Sequence, residues 1–213
     1  MHKFAKIFVW LGLLFFGSIS LFALYNEYGF PWKHGEKREV MEQFLEEKYQ
    51  DEFTFDALRF DLMHGRNYYT YATAKSTNVS FYIEVSPDNT VEEAYAYEYW
   101  NAQISDIFYP LLKPTLKQFE SISGQVFLNA PATISTNPKE NATFLLSLVM
   151  GMELTEENRE EQVARWMITI DKLREEDYSL EAIEINYYND TIYLDRERLR
   201  GISTIENLSP YFK

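Results

Sequence analysis

Residues 51–62 read DEFTFDALRFDL, and residues 176–187 read EDYSLEAIEINY. Shifted by 125 positions the two lie over one another without a gap: Phe53 on Tyr178, Thr54 on Ser179, Phe55 on Leu180, Asp56 on Glu181, Ala57 on Ala182, Leu58 on Ile183 and Phe60 on Ile185. Apolar residues alternate in both, as in strands with one buried face. In both, the alternation changes phase at the alanine, which predicts a bulge or bend there.

The flanks extend the match. Before the first strand, EKREVMEQFLEEKYQ (36–50) sets Val40, Met41, Phe44, Leu45 and Lys48 on one helical stripe. Before the second, EENREEQVARWMITIDKLREE (156–176) sets Trp166, Met167, Ile170 and Leu173 inward. His64–Gly65 turns the first strand into RNYYTYATA (66–74), and Asn189–Asp190 turns the second into TIYLDRERL (191–199). Helix, strand, turn and strand therefore occur twice in the same order. After the first pair, VSFYIEV (79–85) adds a cleanly alternating strand. Thr90 and Glu93 carry the spacing of a capping box, opening a helix in which Tyr97, Trp100, Ile104, Ile107 and Leu111 share a face. Pro110 and Pro114 are expected to break it, leaving a short second helix through Phe119, with a domain boundary at Ser121 to Gly124. GQVFLNA (124–130) and NATFLLSLVMGMEL (141–154) read as strands.

At the amino end, IFVWLGLLFFGSISLFAL (7–24) carries no charge, and Lys3 and Lys6 precede it. Eighteen helical residues at ~1.5 Å each reach roughly 27 Å, close to the hydrocarbon thickness of a bilayer. Leu21 is a poor fit to the small-residue rule for signal cleavage after Ala23, which favours an uncleaved anchor over a removed signal. Lys33, Lys37 and Arg38 follow the run, so charge asymmetry alone does not orient it. A short basic tail before a first apolar segment is the usual secretory entry. Tyr25, Tyr28, Phe30 and Trp32 suit the far headgroup layer. The expected orientation puts the tail in the cytoplasm and the body outside.

The fold expected is α+β: a cytoplasmic tail (1–6), a transmembrane helix (7–24), a juxtamembrane linker (25–35) and two small modules (36–122 and 123–213), each an antiparallel sheet with a helix across one face.

Of 20 basic groups only Lys3 and Lys6 fall in the first 24 residues, which hold no acid; the remainder carries 18 against 33 acids, a net −15. That balance disfavours nucleic acid and anionic surfaces as partners and suits cations or basic peptides. With no cysteine, disulfide and thiol chemistry are excluded, and an extracytoplasmic body of this size fits a bacterial envelope.

Reactive constellations are sparse. Three dispersed histidines (His2, His34, His64) make a zinc site improbable, and there is no nucleophile elbow or phosphate loop. Asp61 or Glu84 beside His64 is the one acid–base pairing on which a hydrolase could rest. Glu156, Glu157, Glu160 and Glu161 read as the acidic first turns of a helix, with Glu161 spaced to pair with Arg165. Tyrosines are the unusual feature: Tyr68, Tyr69, Tyr71 and Tyr82, then Tyr95, Tyr97, Tyr99 and Trp100. On strands, successive side chains point to opposite faces, so half of these leave the core; Tyr69, Tyr71 and Tyr82 are the candidates to line a groove for a peptide or a glycan.

An apolar anchor, a helix leading into FTFDALRFDL, three strands and then YAYEYWNAQISDIFYPLLK (95–113) together resemble the YfjL-like family of uncharacterised membrane-anchored Bacillota proteins. The helix-then-hairpin units are also similar to small PepSY-like and cystatin-like modules, and that resemblance implies binding rather than catalysis. The sequence thus predicts a single-pass, membrane-anchored extracytoplasmic binding or regulatory protein, without catalysis of its own and without a cofactor. The alternatives are a carboxylate-dependent hydrolase and a sensor of cations or basic peptides.

Overall fold

The computed structural model of the chain describes residues 2–63, 65–129 and 133–212; the side chains of residues 2–9, 26 and 27 lie outside that description. The architecture is α+β, with the chain divided into two compact units, Met1–Tyr95 and Ala96–Lys213.

The first unit opens with helix α1 (His2–Tyr28), then a 3-10 turn (Pro31–Lys33) and helix α2 (His34–Tyr49). Its sheet comprises β1 (Phe53–Phe55), β2 (Arg59–Asp61), β3 (Asn67–Ala74), β4 (Ser80–Val85) and β5 (Val91–Glu93). Every pairing is antiparallel; β1 and β2 lie end to end along β3, followed by β4 and β5. The expected phase change is real and has a geometric cause. Phe53 and Phe60 are both buried, yet seven positions apart they would face opposite ways on a regular strand. Phe55 pairs with Ala72 but Arg59 with Tyr69, so β3 spends one residue fewer, and the extra residue between β1 and β2 brings Phe60 back inward.

Helix α2 lays Lys37, Met41 and Leu45, one helical turn apart, against the inner face of this sheet. Ala72 and Ala74 on β3 keep that face low where Tyr68, Phe81, Ile83 and Val85 fill it. Lys37 is 1% exposed, its ammonium donating to Ser86 O (2.9 Å), Pro87 O (3.1 Å) and Asn89 Oδ1 (2.6 Å). Desolvation pulls its pKa below the usual 10.5, while three acceptors satisfy the charged form.

Helix α1 is unbroken over 27 residues, and its described side chains from Trp10 to Leu24 are exposed except at Gly12. Among the described residues no helix is long and apolar enough to cross a membrane; Ile7, Phe8 and Val9 of the expected span fall among the side chains outside the description.

The second unit takes up helix α3 (Tyr95–Leu112) from Ala96, then β6 (Phe119–Leu128), a single turn α4 (Pro138–Asn141), β7 (Ala142–Met150), α5 (Glu156–Glu175), β8 (Ser179–Asn186), β9 (Thr191–Asp195) and two short helices, α6 (Arg196–Gly201) and α7 (Ile205–Leu208). The strand order is β6-β7-β8-β9. Its core joins Trp100, Ile104, Phe108 and Leu112 of α3 to Trp166, Ile170 and Leu173 of α5 across Phe144, Leu146, Leu148, Ile183 and Ile185. The second copy of the repeated stretch bulges where the first does: Leu180 pairs with Phe144 and Ala182 with Leu145, leaving Glu181 as the extra residue at the position matching Asp56. As expected, Trp166, Met167, Ile170 and Leu173 face inward, and Glu161 pairs with Arg165 at 2.8 Å.

Several expectations are corrected. The second sheet is mixed, because β7 and β8 run parallel, and the 20-residue helix α5 is the crossover such a pair requires. The two units divide at Tyr95/Ala96 rather than at 122/123, because α3 buries its apolar face in the second core; Ser121 to Gly124 lies inside β6. Residues 115–119 form no second helix, since Gln118 turns left-handed (φ 53°) and Phe119 starts β6, while Pro110 is carried inside α3. Thr90 to Glu93 is not a capping box: Val91 to Glu93 is strand β5, and the Glu93 carboxylate accepts from the Tyr95 N–H at the start of α3. The buried stripe of α3 runs through Trp100, Ile104, Phe108 and Leu112, one step from the expected face, with Tyr97, Ile107 and Leu111 at its margins.

Candidate functional site

On the outer face of the first sheet the period-two rule sorts the tyrosines. Tyr68 points inward at 3% exposure, whereas Tyr69, Tyr71 and Tyr82 point out. β3–β4 register sets Tyr71 opposite Tyr82 and Tyr69 opposite Glu84. The Tyr82 ring thereby meets both others, with centroids 5.8 Å from Tyr69 and 6.1 Å from Tyr71. The three predicted residues form one aromatic patch. Tyr71 remains 56% exposed within it, contact area a folded chain leaves uncovered only at modest cost.

Polar groups fix one side of the patch. The Tyr82 hydroxyl donates to Glu84 Oε2 at 2.6 Å, and Asn67 Nδ2 donates to Glu84 Oε1 at 3.1 Å. Burial first, then the hydrogen bond to Glu84 and the charge of that carboxylate, push the Tyr82 pKa well above its ordinary 10, so this phenol stays a neutral donor.

On the other side the bulge opens a hollow of about 350 Å³ lined by Asp56, Ala57, Arg59, Tyr69, Thr70 and Tyr71. Where the β1–β2 ladder breaks, the chain stays tied down by Asp56 N–H to Tyr71 O (3.0 Å) and by the Thr70 hydroxyl to Ala57 O (3.4 Å). Asp56 and Arg59 supply one charge of each sign in the lining. Tyr82 stands beside the hollow and holds the two lining tyrosines by ring contact. The sequence reading missed Asp56 and Arg59; the signal available for them was the odd spacing of Phe53 and Phe60, which forces an extra residue to be accommodated there.

The remaining tyrosines of the run separate. Tyr95 is buried against Phe81 (4.8 Å, stacked) in the first core, while Tyr97 and Tyr99 pack at the margin of the second.

Of the acid–base pairing, only the carboxylates Asp61 and Glu84 fall among the described residues. Glu84 is committed to Tyr82 and Asn67, Asp61 Oδ1 accepts the Met63 N–H (2.9 Å) within the turn, and His64 lies outside the described residues. Among the described residues no group of three or more His, Cys, Asp or Glu is placed to hold a metal ion.

The site brings together flat aromatic faces with polar tips, a carboxylate and a guanidinium around the hollow. Comparison with family models, curated proteins and solved structures finds no match to this chain.

Proposed function

We propose that this is a single-pass membrane protein of the YfjL-like kind whose body, held outside the cytoplasmic membrane, captures an extended peptide or protein segment on the tyrosine face and performs no catalysis itself. The observation that carries the binding reading is the hollow between Tyr69, Tyr71, Asp56 and Arg59, formed at a bulge and flanked by exposed aromatic rings. Cation or basic-peptide sensing is a variant of the same reading, favoured by the net −15 of the body. The helix-on-sheet arrangement of the first unit supports the likeness to PepSY-like and cystatin-like modules, a likeness that implies binding rather than catalysis.

The anchor rests on residues 7–24 as an uncharged run within a 27-residue helix, about 40 Å long at ~1.5 Å per residue, whose described side chains face outward. Phe16 and Leu21, each 69% exposed, are what a lipid environment would cover.

Two measurements test this. Protease shaving of intact cells, following an epitope placed after Lys213, removes the tag if the body lies outside; survival until the membrane is opened reverses the orientation. Selection of displayed peptides on the full chain in nanodiscs, counter-selected against Tyr71→Ala, should enrich sequences that need Tyr69 and Tyr71. Enrichment that is indifferent to both tyrosines would end the groove reading.

A further inference from the structure

Where α1 ends, a second hollow, about 180 Å³, opens within the first unit, its lining including Tyr25, Lys33, Lys37, Phe60, Arg66 and Tyr68. The rings form its wall: Tyr25 lies 5.5 Å from Phe60, and Phe60 lies 4.9 Å from Tyr68. Tyr68 is 3% exposed, and its hydroxyl oxygen accepts the Phe30 N–H at 2.9 Å. The hydroxyl proton itself meets no acceptor among the described residues, an unusual omission for a buried phenol. The Lys33 ammonium and the Arg66 guanidinium likewise make no ion pair or hydrogen bond among the described residues. Lys37 spends its three protons on Ser86, Pro87 and Asn89 and adds fixed positive charge.

In a body of net −15, three cations converge on one small aromatic hollow whose lining among the described residues contains no carboxylate, Glu36 acting on Lys37 and Tyr68 from outside it, with a buried phenol proton left over. That is a donor set for a compact oxyanion. The hollow is built partly from Tyr25 and Phe30, the residues just after the apolar run, which puts it at headgroup depth if the run spans the membrane. We infer that this hollow holds the phosphate of an anionic membrane phospholipid, bound by Lys33, Arg66 and Tyr68. The inference rests on the membrane reading above. It also answers a problem that reading creates: an acidic body is repelled by an anionic leaflet, and a local basic seat offsets that repulsion where the body meets the surface.

The full chain in nanodiscs is irradiated with photoreactive phosphatidylglycerol, with photoreactive diacylglycerol of the same acyl chains as the phosphate-free control, and adducts are mapped by mass spectrometry. Adducts on peptides containing Lys33 or Arg66 should exceed the diacylglycerol control, fall about fivefold for each of Lys33→Ala and Arg66→Ala, and fall again in Tyr68→Phe. Retained melting temperatures in the two alanine variants keep the reading clean if Tyr68→Phe loosens the fold. Equal labelling by the two probes, or labelling indifferent to the alanine variants, overturns the site while leaving the anchor intact. Full displacement by millimolar inorganic phosphate overturns the lipid as occupant in favour of a soluble phosphate. Failure of the chain to stay with the membrane in alkaline carbonate overturns the anchor and the lipid together.

Discussion

The backbone N–H of Phe30 donates to the hydroxyl of Tyr68, 2.9 Å away and 38 residues on, and this bond ties the exit of α1 to the central strand of the first sheet. Around it, Tyr25 packs on Phe60, the His34 ring shares a 2.6 Å hydrogen bond with Tyr28 O, and Gly29 N–H returns to Tyr25 O at 2.8 Å. The helix that we propose spans the membrane is thus joined to β2 and β3 through packed side chains, and the tyrosine face on the same β3 is held relative to it.

Gly29 is the tightest point of this joint. Its φ is +62°, and a Cβ there would meet Phe60 Cγ at 2.7 Å and the Tyr68 hydroxyl at 2.8 Å. Gly29→Ala should destabilise the first unit by about 2–4 kcal/mol, combining left-handed strain with overpacking. Urea unfolding followed by tryptophan fluorescence measures it; a loss within about 0.5 kcal/mol would mean the joint yields.

Lys37 holds the β4–β5 turn from below. Lys37→Met keeps the stem but leaves the Ser86 and Pro87 carbonyls without their donor, at a cost of about 1–3 kcal/mol. Lys37→Ala adds a cavity and should cost more. Equal stability of the methionine variant and the parent would show that those carbonyls find water instead.

Alkaline pH should weaken the second unit through Tyr187. Its buried hydroxyl accepts from Trp166 Nε1 (3.1 Å) and donates to Gln162 Oε1 (3.2 Å), and burial pushes its pKa well above 10. Above pH 10 the unfolded chain gives up this proton while the folded chain keeps it, so the stabilisation is complete below pH 10 and declines as pH rises beyond it. Tyr187→Phe should cost about 1–2 kcal/mol at neutral pH and flatten the decline between pH 10 and 11.5. An alkaline limb of unchanged slope in denaturant melts would refute the assignment.

The bulge can be removed without changing which faces are buried. Deleting Ala57 makes β1 and β2 one continuous strand in which Phe53 and Phe60 still point inward, now six positions apart. The chain should fold with a stability change of about 1 kcal/mol while the hollow beside Tyr71 closes and peptide capture is lost. Tyr71→Ala, at an exposed position, should lower capture with less than about 1 kcal/mol of stability lost. Undiminished capture by the deletion variant would move the binding site elsewhere.

The parts of this protein that the sequence declares are those written in short-range period. Alternation within residues 51–62 and 176–187 announced two bulged strands, and the Trp166, Ile170 and Leu173 spacing announced α5, because each signal depends only on neighbours along the chain. Tyr69, Tyr71 and Tyr82 were legible for the same reason: alternation alone puts them opposite a buried set.

What the tertiary structure decided needed partners distant in sequence. Nothing local says that β8 pairs with β7 in parallel, that α3 gives its apolar face to the second core, or that Lys37 turns inward to meet Ser86, Pro87 and Asn89. Such choices are settled by the free energy of burying whole faces and satisfying their polar groups, a sum over the fold to which any one residue contributes little. Asp56 and Arg59 reach the candidate site that way: the demand that Phe53 and Phe60 both be buried opens the ladder and turns two ordinary surface charges into the lining of a groove.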